Sequence, residues 1–217
     1  MTEGRSSKQW PSGKFWRRRI PLLIALAVLG TAAWQFRERN SPPISAQGGE
    51  SFPNRMVIEV VPYLQTDDRW KNEKIGGSGE RLGDVGCAVC SLAMALDRFG
   101  VHYTPSELND RLKANDGYTW RGWLKWQAIS TVADGKIVVE AVRKPSHVDI
   151  DMALKNKNPV IAKLLINGGV PLWVLIVGKQ GTNYLMRDPM GDVLSLDPVS
   201  KYGSDIFGVR IVKPAKD

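Results

Sequence analysis

Histidine and cysteine are both scarce in this 217-residue sequence, with two of each. Two cysteines are too few for a disulfide scaffold, and with two scattered histidines they make no tetrahedral metal set, so the expectation is no metal and no cofactor. The Gly-x-x-x-x-Gly-Lys phosphate loop of a nucleotide-driven machine is absent, as is any internal repeat. Acidic residues are also in the minority: 22 Asp and Glu stand against 30 Lys and Arg, for a net charge of +8. That imbalance lies at one end. Residues 1–39 carry a net +6 and residues 40–217 only +2. No basic stripe interleaved with aromatics runs through the body, which excludes nucleic acid as the expected partner.

What is present begins with one long apolar run. Residues 1–19 are polar and basic, ending in Lys14-Phe15-Trp16-Arg17-Arg18-Arg19, and no charge follows from Ile20 through Phe36. As a helix this run is about 25 Å long, a little short of a hydrocarbon core, and Trp16 and Trp34 bracket it as interfacial aromatics. The basic flank predicts a cytoplasmic tail over 1–19, a transmembrane signal anchor over 20–36, and a domain held at the membrane on the extracytoplasmic side. Cleavage after Thr31-Ala32-Ala33 or Ile44-Ser45-Ala46 would instead release it; the bulky Trp34 and the distance to the second site favour the anchor. Residues 37–55, with Pro42-Pro43, Gly48-Gly49 and Pro53, read as a linker, and 56–217 as the folded domain.

Within that domain, Gly86-Cys87-Ala88-Val89-Cys90-Ser91-Leu92-Ala93-Met94 follows a glycine-rich stretch and opens a helix with Val89, Leu92, Ala93, Leu96 and Phe99 inward. A thiol at a helix N-terminus is favoured as the anion, which lowers its pKa and suits it as a nucleophile. Thr104-Pro105-Ser106-Glu107 is a capping box starting the next helix. Trp120, Trp123 and Trp126, three apart, suggest one face of a helix on the core. The rest is strand-rich: Val57–Val61, Ile137–Val142, Pro159–Leu165, Leu172–Gly178, a hairpin of Tyr184–Pro189 with Asp192–Leu196, and Gly208–Val212. Ser146 caps a short helix through Leu154. Helices first and antiparallel strands after make an α+β plan.

Together these residues resemble the C39-like cysteine peptidases, a branch of the papain-like fold. The pattern is carried by Pro62-Tyr63-Leu64-Gln65 with Asp68 and Trp70, by Gly86-Cys87 with Ser91-Leu92-Ala93-Met94, by the Asn158-Pro159-Val160-Ile161 strand and the apolar strand ending at Gly178, and by Asp188-Pro189. The resemblance implies Cys87 as nucleophile, Gln65 as oxyanion donor beside the N–H of Cys87, and Asp188 as the group that orients the base. Taken alone, Gln65 and Asp188 would each suit an ordinary surface turn.

The base itself is missing. Counting back from Gly178, the family's histidine slot falls on Leu172, and Pro171-Leu172-Trp173-Val174 holds no titratable side chain. His102 belongs to the far end of the Cys87 helix, and His147 to a helix start, where capping or solvent contact is its expected role. The resulting expectation is a degenerate, membrane-anchored C39-like domain that binds a peptide, protein or cell-wall peptide with weak or no hydrolysis. Two alternatives stay open: an active thiol hydrolase with an unrecognised base, and a thiol–disulfide redox protein using Cys87-Ala88-Val89-Cys90, a pair that could also close into a strained bridge.

Overall fold

The computed structural model describes residues 42–215. The basic tail and the apolar run read as an anchor lie outside the described residues. Among the described residues, no helix is long and apolar enough to cross a membrane.

An antiparallel sheet organises this part of the chain. Its strands are β1 (Gln47–Val57), β2 (Ile137–Val142), β3 (Val160–Ile166), β4 (Val170–Arg187), β5 (Asp197–Pro198) and β6 (Gly208–Pro214). They lie in the order β1-β4-β3-β6-β2, with β5 on β4. The apolar runs of β3 and β4 meet in unbroken register from Val160 opposite Ile176 to Ile166 opposite Val170. Both are buried over most of that length, which is why their sequences run apolar rather than alternate.

The helices are α1 (Leu82–Val85), α2 (Cys87–Asp97), α3 (Pro105–Ala114), α4 (Ile129–Val132) and α5 (His147–Lys155). In α2 every residue from Val89 to Leu96 is buried, so the Cys87 helix is a core element enclosed on all sides. Both predicted caps form. Thr104 accepts from the Glu107 N–H while the Glu107 carboxylate takes the Thr104 N–H. Ser146 and Asp149 do the same for α5.

Four expectations change. The stretch read as a linker, 37–55, already carries β1 from Gln47, with Ala46 and Phe52 buried. Its glycines serve close packing: a Cβ on Gly48 would lie 2.6 Å from the His147 ring, and one on Gly49 2.3 Å from the Asp151 carboxylate. The predicted strand Val57–Val61 is mostly irregular, because β1 ends at Val57 and only the Ile58 N–H continues onto the Val177 carbonyl.

The tryptophan-rich segment forms no long helix. Gly122 sits at φ +76°, in the left-handed region, and Tyr118 bridges to Leu124, so the chain winds into a loop before a 3-10 turn at Trp126–Ala128 and the short α4. Trp120 and Trp123 are 79% and 64% exposed instead of packed on the core. Finally, Asp192–Leu196 is no strand; the partner of Leu185 and Met186 is Pro198 and Asp197.

Candidate functional site

Cys87 is placed by the break between α1 and α2. A Cβ on Gly86 would lie 2.3 Å from the Leu82 carbonyl oxygen, so glycine is what lets α1 end and α2 begin within one residue. Gly86 caps α2 without a side-chain hydrogen bond, leaving the first N–H groups to the thiol. The Trp173 N–H of β4 donates to Cys87 Sγ at 3.4 Å. One turn along α2, Ser91 Oγ donates to the Trp173 carbonyl at 3.1 Å. Both polar groups of the Trp173 backbone are therefore held by α2, and the Leu172–Trp173 peptide lies against the thiol.

Asp188, just past the end of β4, acts electrostatically on the same thiol. A straight strand would hold Trp173 and Asp188 about 50 Å apart. The β4 segment therefore doubles back, with Gly181 at φ +58° in the mostly exposed stretch 180–183.

The expected lowering of the Cys87 pKa does not occur. The thiol is 6% exposed, and burial pushes it above its ordinary value. The N–H groups of Trp173, Ala88 and Cys87 itself pull the other way and are outweighed, and the Asp188 charge adds to the rise. A helix terminus supplies a partial charge, whereas desolvation acts on a full one. Cys90 is fully buried and its thiol is raised by the same cause. Both thiols are free. This geometry lends no support to redox exchange, which needs an accessible thiolate.

Gln65 and Asp188 are buried, not in open turns, and their segments are joined: the Gln65 N–H donates to the Pro189 carbonyl at 2.9 Å. Trp70 fixes the loop before them, its Nε1 donating to the Leu64 carbonyl at 2.8 Å while Tyr63 packs edge-on against its ring. Gln65 Nε2 donates to the Gly83 carbonyl at 2.9 Å, three residues short of Gly86, and Oε1 is buried without a hydrogen-bond partner. Its side chain thus donates to the segment leading into α2, four residues before Cys87. Asp188 is fully engaged too: Oδ1 accepts from the Met190 N–H at 2.9 Å and Oδ2 from the Tyr202 hydroxyl.

Leu172 is buried, paired with Leu164 across the sheet. Neither histidine stands at the thiol. His102 Nδ1 lies 2.6 Å from Asp97 at the far end of α2, largely in solvent. His147 is neither a cap nor simply solvent-facing: Ser146 caps α5, and His147 Nδ1 lies 3.0 Å from the Tyr184 hydroxyl. That hydroxyl belongs to a separate buried network in which Asp151 accepts from Lys179 at 2.5 Å, Tyr184 at 3.1 Å and the Glu50 N–H at 2.8 Å.

Sequence reasoning missed Tyr202, which holds Asp188, and the Asp151–Lys179 pair, because partners 14 and 28 residues apart leave no local signal. Ser91 was legible as one helical turn beyond Cys87, but not its target. Among the described residues, no three His, Cys, Asp or Glu side chains gather as a metal site would require.

No protein-family model matches the sequence, and no curated protein does. The structure is similar to a solved crystal structure from Bacillus anthracis described as a "putative C39-like peptidase", with a TM-score of 0.48, 18% identity, and coverage of 75% of this chain and 100% of that one.

Proposed function

We propose that this chain is a membrane-anchored, extracytoplasmic C39-like domain that has lost its general base and holds a peptide, or the peptide part of a cell wall, instead of cleaving it. The observation that carries the reading is the surroundings of Cys87. The thiol meets three backbone N–H groups and the field of a carboxylate, while both histidines are engaged elsewhere. In a working site of this kind an imidazole stands between thiol and carboxylate, takes the thiol proton and returns it to the leaving amine. Here the Asp188 charge adds to the effect of burial and opposes the thiolate.

Peptide hydrolysis by wild type, Cys87→Ala and Leu172→His tests this. Turnover is expected in none of the three or in Leu172→His alone. Wild-type turnover that vanishes in Cys87→Ala would overturn the reading in favour of an active hydrolase. The anchor has its own test: alkaline carbonate extraction is expected to leave the full chain in the membrane pellet and to release a form lacking 1–36. Release of a chain shortened at Ala33 or Ala46 would point to the cleaved, secreted alternative, and release of the full-length chain would overturn the anchor.

A further inference from the structure

We propose that Lys163, Trp173, Gly208 and Arg210 form a carboxylate-binding notch beside Cys87, a step that rests on reading this region as a peptide-binding site. Lys163 stands opposite both Trp173 and Gly208, and Arg210 follows Gly208 by two residues, so all four share one face of the sheet. Gly208 leaves a gap among the others. A Cβ there would lie 3.5 Å from Lys163 Cβ, 3.9 Å from Trp173 Cη2 and 4.0 Å from Arg210 Nη1, all ordinary contacts. Neither backbone conformation nor crowding demands glycine at this position; its effect is to leave the space of one methyl group beside the Lys163 stem, the Trp173 ring and the Arg210 guanidinium.

Arg210 is held ready there. Its guanidinium lies 5.5 Å from the Trp126 ring and 5.4 Å from the Trp173 ring, two rings whose centres are 5.1 Å apart and whose planes are tilted by 56°. Its Nε is buried without a partner, and Nη1 donates only to the neighbouring Val209 carbonyl at 2.9 Å. Among the described residues neither Arg210 nor Lys163 forms an ion pair with an acid. Burial pulls the Arg210 pKa down, as expected for a cation stripped of water with no anion in exchange. A planar carboxylate supplies what is missing, since it matches the guanidinium fork and fits a narrow gap against flat rings. The notch adjoins the thiol because the residue whose ring underlies Arg210 is the one whose N–H meets Cys87 Sγ. The ligand class is therefore a peptide bearing an acidic side chain or a free C-terminal carboxylate.

The test uses the full chain in detergent, with nitrogen-edited NMR of the Arg210 Nε–H and the Trp126 and Trp173 indoles. The probes are N-acetylglycine, its amide N-acetylglycinamide, and inorganic phosphate. N-acetylglycine is expected to shift these signals saturably, at least tenfold more tightly than the amide and more tightly than phosphate. Gly208→Ala, which fills the gap without a clash, and Arg210→Gln are expected to weaken it at least tenfold, Gly208→Ala with an unchanged melting temperature. Equal response to acid and amide, tighter binding of phosphate, or an unaffected Gly208→Ala would overturn the notch. Capped tetrapeptides separate the two readings. If they bind equally well as acids and amides, peptide binding stands and the notch falls. If N-acetylglycine binds and no tetrapeptide binds more tightly, the notch stands and peptide binding falls.

Discussion

Neither histidine of the chain stands with Cys87 and Asp188, since His102 lies against Asp97 and His147 against Tyr184, and the consequence for the thiol is chemical. Burial and the Asp188 charge both hold the thiol protonated, against the N–H groups that would favour its anion. Alkylation by iodoacetamide should therefore be slow at pH 7 and rise only above the ordinary thiol range of about 8.5. A rate that is fast and flat through neutral pH would instead reveal a paired thiolate. Asp188→Asn removes one of the two opposing causes while leaving atoms to meet Met190 and Tyr202. It is expected to raise the alkylation rate at pH 8 and to shift the profile toward lower pH. An unchanged profile would show that the carboxylate does not act on the thiol. Cys87→Ala, which leaves only Cys90, assigns the signal.

At the scale of elements, the site depends on two joints. The first is the α1–α2 break at Gly86, where any side chain meets the Leu82 carbonyl oxygen. Gly86→Ala should cost about 1–3 kcal/mol, the range for forced overpacking, and should move the melting temperature and the Cys87 alkylation rate together. The second is the start of α3, where the Thr104–Glu107 box satisfies two N–H groups. Thr104→Ala should cost about 1 kcal/mol by thermal or urea unfolding and leave Cys87 reactivity unchanged, because that cap lies away from the thiol. The contrast between the two variants separates general stability from support of the site.

These elements also show where local patterns suffice. The Thr104–Glu107 box, the Ser146 cap, the bounds of β2 and the start of α2 follow from near neighbours in the sequence, and each forms as read. The tryptophans failed as a helix because three-residue spacing also suits a loop, and Gly122 chose the loop. Gln47-Gly48-Gly49 failed as a linker because glycine marks close packing as readily as flexibility, and only the presence of α5 above it tells the two apart.

For the molecule as a whole, a buried ion pair ties β1, α5 and β4 together. Lys179 Nζ is fully buried and donates to Asp151 and, at 2.7 Å, to the Gly48 carbonyl. Lys179→Met strands a buried carboxylate and should cost about 3–5 kcal/mol in urea unfolding. A loss below about 1 kcal/mol would show that the network is not closed as described.

The pH dependence follows from groups held neutral. Burial raises Tyr118, Tyr184 and Tyr202 as well as both thiols, with Asp151 adding to the effect on Tyr184 and Asp188 to that on Tyr202. A raised acid binds its proton more tightly when folded, so its contribution is complete below the unfolded pKa and is lost as pH rises beyond it. Urea midpoints should be level from pH 6 to 8 and fall steadily above about 9, where unfolded thiols and then tyrosines ionise. A midpoint that rises in that window would reverse the sign.

By itself the sequence determined the α+β plan, the helix that Cys87 opens, the caps, most strands and the absence of a base near Leu172. These depend on hydrophobic period, capping chemistry and residue identity, all of which act over a few residues. Only the tertiary structure decided that Gln65 and Asp188 are buried and joined, that β4 doubles back, that Lys179 finds Asp151, and that Arg210 lies over two tryptophan rings beside the thiol. Above all, it decided the protonation of Cys87. A helix terminus is visible in sequence, but desolvation depends on everything packed around the group, and here desolvation is the larger effect.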